Sequence, residues 1–250
     1  NWDWVAEHFR HDYHIIAPDL RGHGDSQWME GGSYNQIDYV YDIAQLLQQK
    51  QMSPVTVIGH SLGGSISTLY TALHPEKVNK LVAIEGMGPP PKMIEERINQ
   101  PISKRLHNWM NDLRKSSGRL PRRYQTLEEA FQRMQTENPH LSEDQARHLT
   151  IHGSNQNEDG TFSWKFDNYV RNFAPIGVPF DEMATLYGDI TCPTLLVRGL
   201  ESWASDPIAD GRTKSFNCKL EVEAFADAGH WVHHDQLDGF VKRVKTFLAD

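Results

Sequence analysis

Ser61 stands in Gly59-His60-Ser61-Leu62-Gly63-Gly64, directly behind the β-branched run Val55-Thr56-Val57-Ile58. A strand that runs through a tight turn into a helix is the setting in which a serine hydroxyl is held out as a nucleophile. Glycines at 59 and 63 let such a turn close and the following helix pack near the strand. A serine of this kind needs a base to take its proton and a carboxylate to orient that base. Glu85 ends the apolar stretch 77–86, at the strand edge where parallel sheets place their ligands. From position alone it fits a catalytic acid and, equally, a carboxylate that accepts backbone N–H groups at the start of the next segment.

The elements that must position these residues follow from the hydrophobic pattern. Trp2, Val5, Ala6 and Phe9 recur at helical spacing, and His14-Ile15-Ile16-Ala17 reads as a short strand closed by Pro18. Asp19, Arg21, His23 and Asp25 lie in the glycine-punctuated loop behind it and are expected to build a hydrogen-bonded turn rather than do chemistry. An amphipathic helix covers 35–52, the elbow strand follows, and a second strand covers 77–86. Residues 88–186 interrupt the core after Pro89-Pro90-Pro91. Helical patterns there run over 93–100, 103–115, 126–136 and 142–152, with capping signatures at Thr126 with Glu129 and Ser142 with Gln145. The polar turn 155–160 leads into Thr161-Phe162-Ser163-Trp164-Lys165-Phe166. Strands at 194–198 and 220–225 and a closing helix at 237–248 complete the chain.

Composition narrows the function. The 250 residues are 38% hydrophobic with 10% aromatic, which suits a globular core. A net charge of −8 and the lack of any basic tract argue against nucleic acid or an anionic membrane surface as partner. No apolar run approaches the roughly 20 residues of a membrane-spanning helix. Cys192 and Cys218 make no disulfide framework and read as reduced thiols of a cytoplasmic protein. His233, His234 and Asp235 lack the second ligand cluster that a metal site requires, so no metal or other cofactor is expected.

Ala17-Pro18-Asp19-Leu20-Arg21-Gly22-His23-Gly24-Asp25-Ser26, then Gly59-His60-Ser61-Leu62-Gly63-Gly64, then Ala228-Gly229-His230 occur in the order of the α/β-hydrolase family, which this chain resembles. The resemblance implies an α/β fold, a mostly parallel sheet flanked by helices, with the core in 1–87 and 187–250 and an inserted helical cap in 88–186. It also implies two or three strands and a His-Gly loop upstream of Asn1, that loop giving one of two oxyanion-hole N–H groups. Leu62 would give the other.

By the same resemblance Ser61 is the nucleophile and His230 its base. Most members carry the acid three or four residues beyond the position of Gly199, where this chain has Ser202 and Trp203. Glu201 and Asp206 flank that place. Some haloalkane dehalogenases instead move the acid to the end of the preceding core strand, which here is Glu85, so Glu85 is the preferred acid with Asp206 and then Glu201 behind it. Caps of this family shape the substrate pocket, which makes Trp109, Phe131, Met134, Trp164 and Phe173 candidates to line it, with His60 and Trp231 beside the elbow and histidine loop. The implied activity is that of a serine hydrolase on an ester-like bond of a small organic substrate, with C–C bond hydrolase, lactonase and thioesterase as neighbours. A ligand-binding protein with a vestigial site is the alternative. Serine at 61 argues against haloalkane dehalogenase and epoxide hydrolase chemistry, which use aspartate there. Oligomeric state is not implied.

Overall fold

In a computed structural model the chain is described over residues 1–29, 34–172 and 174–249. Phe173, one of the pocket candidates, lies outside the described residues. The strands are β1 (Val55–His60), β2 (Val78–Ile84), β3 (Ser154–Gln156), β4 (Phe162–Trp164), β5 (Thr194–Gly199) and β6 (Leu220–Phe225). The helices are α1 (Asp3–Phe9), α2 (Gln36–Gln49), α3 (Leu62–Leu73), α4 (Pro91–Ile98), α5 (Ile102–Ser117), α6 (Leu127–Glu137), α7 (Glu143–Gly153), α8 (Phe180–Gly188), α9 (Val232–Asp235) and α10 (Leu237–Ala249). They fall into two units, Asn35–Arg105 with Ile176–Asp250, and Asn1–Tyr34 with Leu106–Pro175.

The first unit is built on a parallel sheet of order β1-β2-β5-β6. Leu81, Val82, Ala83 and Ile84 of β2, and Leu195, Leu196 and Val197 of β5, are at most 2% exposed. These central strands are covered on both faces, which is why they read as unbroken apolar runs. Edge strand β6 alternates instead, and Arg243 of α10 pairs with both Glu221 and Glu223 on it. The register sets His60 beside Ile84, Ile84 beside Val197 and Gly199 beside Phe225. The residues that follow each strand therefore emerge along one edge of the sheet.

Helix α3 packs on β1 and β2. Its hydroxyls turn inward: Ser67, Thr68 and Thr71 donate to the carbonyls of Gly63, Gly64 and Ser67 one turn back, so a helix of small polar residues is buried without orphaned groups. In α10, Phe240, Val241, Val244 and Phe247 form the buried stripe. Lys80 of β2 donates to the Phe247 and Leu248 carbonyls, 2.9 Å each, and closes the C-terminus of α10.

The second unit contains α1, α6, α7 and the antiparallel pair β3–β4. Thr126 and Ser142 cap α6 and α7 as their spacing predicts, each accepting the N–H three residues on, at 3.2 Å. The strand expected at 14–17 does not form. Ile15 and Ile16 are 38% and 40% exposed, and no neighbouring strand pairs with them among the described residues. A short apolar run becomes a strand only where another backbone takes its N–H and C=O groups. The loop behind it does form the expected turn: Asp25 N–H and Ser26 Oγ–H donate to the Asp19 carboxylate and carbonyl. Residues 1–34, expected with the sheet, cluster with 106–175 instead. Gly24 N–H donates to Lys165 O, Asp167 N–H donates to Gly22 O, and Tyr34 donates its hydroxyl to the buried Asp167 carboxylate at 2.6 Å. Helix α4, expected with the insertion, lies against α8 in the sheet unit.

Candidate active site

Ser61 takes φ 52° and ψ −116°, backbone that a residue with a side chain adopts only when its surroundings impose it. The imposing contacts are identifiable. Ser61 N–H donates to Ile84 O at 2.8 Å, which pins the turn to the end of β2. A Cβ on Gly64 would lie 2.6 Å from Gly86 Cα, and one on Gly59 would lie 2.4 Å from Gly63 O. Gly59 is needed as the sequence suggests, but Gly63 is not: nothing lies within 4 Å of a Cβ built there. The close approach of helix to sheet is made by Gly64 against Gly86. Leu62 opens α3, so its N–H precedes the helical hydrogen-bond ladder.

Glu85 directly follows β2 with φ 50°, and its N–H donates to Val197 O at 2.8 Å. Its side chain is 2% exposed. Oε1 accepts Gly199 N–H at 2.7 Å, Oε2 accepts the Ser202 hydroxyl at 2.9 Å, and Oε2 lies 3.6 Å from His230 Nδ1. The carboxylate thus accepts a backbone N–H, one of the two readings the sequence left open, and faces the histidine. Asp206 is engaged elsewhere, with Arg198 at 3.2 Å and Ile208 N–H at 2.8 Å. Glu201 is exposed.

The histidine loop reaches Glu85 because Gly199 has no side chain: a Cβ there would lie 2.2 Å from Gly229 O and 2.4 Å from Ala228 O. Asp235 accepts Gly229 N–H at 2.8 Å, and His60 Nε2–H donates to the His230 carbonyl at 2.7 Å. His230 is thereby fastened beside the elbow, its ring centroid 4.9 Å from that of His60. No hydrogen bond joins Ser61 Oγ to His230. Burial first, and then the neighbouring His230, push His60 down to about 3, so it is a neutral donor. Burial likewise holds His233 well below the ordinary histidine range.

Of the residues expected at the substrate, His60 serves the histidine loop, and half-buried Trp231 lies 5.8 Å from it, ring to ring. Trp109, Phe131, Met134 and Trp164 belong to the other unit. Phe131 is 4% exposed beneath the Arg147 guanidinium and so is core of that unit. Trp164 donates its indole N–H to Tyr124. Three contributors were not singled out as such by the sequence. Ser202 donates its hydroxyl to Glu85. Trp203 lies with its ring 4.7 Å from that of His230. Arg212, 2% exposed, donates to the Met87, Gly88 and Ser205 carbonyls while paired with Asp210, and so ties the segment after Glu85 to the segment after Trp203. The cavity of about 20 Å³ between these residues, lined by Glu85, Gly88, Ser205 and Arg212, has room for about one water and is no substrate pocket. Among the described residues no group of three or more His, Cys, Asp and Glu side chains is placed to hold a metal ion.

The model of the alpha/beta hydrolase fold family matches residues 1–237. The chain belongs to this family. As an alpha/beta hydrolase it is an enzyme of the hydrolase class, and its curated relatives carry matching names. A serine hydrolase-like protein of Danio rerio is 24% identical over 95% of this chain and 74% of its own length. Esterase YbfF of Escherichia coli is 24% identical over 98% of this chain and 87% of its own. The crystal structure of E-2-(acetamidomethylene)succinate hydrolase superposes with a TM-score of 0.80 at 21% identity, over all of this chain and 86% of the other, which shows the shared fold. Within this alpha/beta hydrolase Cys192 and Cys218 are free thiols, and burial pushes the Cys192 thiol up to about 11, away from reactivity. No helix of the described residues is long and apolar enough to cross a membrane.

Proposed function

We propose that the protein is a serine hydrolase that cleaves an ester-like bond of a small organic substrate through an acyl-enzyme. The observation that carries this reading is Glu85 Oε2 at 3.6 Å from Nδ1 of a histidine that His60 fastens beside the serine elbow. In this reading His230 carries its proton on Nδ1, the nitrogen 3.6 Å from Glu85, so that Nε2 is the proton acceptor. Ser61 Oγ attacks the carbonyl carbon and gives its proton to Nε2, and Leu62 N–H donates to the oxyanion that forms. Collapse breaks the bond to the leaving oxygen, which takes the proton from His230. Water then repeats the sequence on the acyl-enzyme: His230 takes its proton, the acid departs and Ser61 regains its hydrogen. The relatives named esterase and serine hydrolase-like support the same bond class. Intact mass after exposure to a fluorophosphonate tests the reading. A single adduct that is lost in Ser61→Ala is expected; a folded chain that takes no adduct overturns it.

A further inference from the structure

Trp203 stands beside His230 with most of its surface uncovered. It is 80% exposed, yet its ring lies 4.7 Å from that of His230 at an interplanar angle of 30°. Its mounting is fixed on both sides. Ser202 is bonded to Glu85, and Ala204 N–H donates to Ser202 Oγ at 3.2 Å, so the backbone is tied before and after the indole. An exposed apolar side chain is ordinary on a protein surface. One anchored through the candidate acid and laid against the candidate base is placed for contact with whatever reacts there. A tryptophan also offers one of the largest apolar faces among side chains, best covered by another flat ring.

We infer that Trp203 is a specificity-determining residue that binds the leaving group, selecting esters whose alcohol part carries a flat apolar body such as an aryl or arylalkyl group. The inference rests on the serine hydrolase reading. In that chemistry His230 returns its proton to the departing oxygen, so the alcohol part of the substrate passes the imidazole while the acyl part stays on Ser61. A wall that touches the imidazole ring therefore lies on the alcohol side.

Two isomeric esters separate the sides. 2-Phenylethyl acetate carries its ring on the alcohol and ethyl phenylacetate carries it on the acid, and both release an aliphatic alcohol. Trp203→Ala is expected to lower kcat/KM for 2-phenylethyl acetate about tenfold, the scale of one good apolar contact in a pocket. Ethyl phenylacetate is expected to fall much less, so that the ratio of the two kcat/KM values shifts several-fold, and Trp203→Phe to retain most of the activity on 2-phenylethyl acetate. Equal loss on both isomers would mean that Trp203 acts through His230 alone and would overturn the inference, as would a larger loss on ethyl phenylacetate. A wild-type chain that takes the fluorophosphonate label but turns over neither ester also counts against it. Absence of the label removes the serine hydrolase reading and this inference together, whereas a labelled chain with an unmoved ratio removes this inference alone.

Discussion

Glu85 gives its two oxygens to a backbone N–H and a serine hydroxyl and sets one of them 3.6 Å from His230 Nδ1, which makes the charge on residue 85 the first feature of the proposed triad to test. In Glu85→Gln the amide keeps the size but offers one acceptor where two are used, and it cannot stabilise an imidazolium. Turnover is expected to fall by about 10²–10⁴, with the unfolding midpoint lowered but the chain still folded. Asp206→Asn is the contrast. Its carboxylate serves Arg198 and a local backbone N–H, a partly exposed pair worth about 1 kcal/mol or less, so turnover is expected to stay near wild type. Steady-state rates on one ester, with circular dichroism to check folding, decide between them. Large loss in Asp206→Asn with little in Glu85→Gln would move the acid to position 206.

At the scale of elements, the contact that sets the elbow is helix α3 against the end of β2, and it is made without side chains. Gly64→Ala would drive a methyl group into Gly86 Cα, backbone on backbone, and is expected to cost about 1–3 kcal/mol as overpacking. Gly63→Ala has open space around it in a helix and is expected to be neutral or to stabilise by up to about 1 kcal/mol. Urea midpoints of the two variants measure this, and equal destabilisation would sink the assignment. The pair also shows what the sequence could reveal. Two adjacent glycines announce a tight turn, but which one faces the sheet depends on the phase of α3 against β2. The core strands were legible because Leu81–Ile84 and Leu195–Val197 are buried on both faces and thus continuous in sequence. Residues 14–17 have the same local pattern and no partner strand among the described residues, so pattern alone misleads there. Helix α8 was not singled out, and β3 is three residues long, too short to show a period. The places of Ser61 after β1, Glu85 after β2 and His230 in the loop after β6 were legible from motifs and strand ends, and their catalytic roles belong to the proposed function. Ser202 as the partner of Glu85 was not, because 117 positions separate the two and only the β2–β5 pairing brings them together.

For the whole molecule, the histidines around the site tie folding to pH. His60 and His233 are neutral in the folded protein, their proton affinity lowered first by burial and then by neighbouring imidazoles. An unfolded histidine titrates near 6.5, so below that pH the unfolded chain takes up protons that the folded chain refuses until about 3 in the case of His60. Stability is therefore full above about pH 6.5 and declines as pH falls, with the decline ending only below the folded-state value. At pH 5 the interval already crossed is about 1.5 units, worth up to about 2 kcal/mol for His60, and His233 adds to it. His60→Gln separates this effect from the rest. Glutamine keeps an N–H to donate to the His230 carbonyl and has no proton to gain, so the variant should lose less stability than the wild type between pH 8 and pH 5 by about that amount. Urea unfolding of both proteins at the two pH values measures the difference. Parallel loss in the two would mean that His60 is already charged in the folded state, and that the carbonyl of His230 is held by an imidazolium rather than by the neutral ring described here.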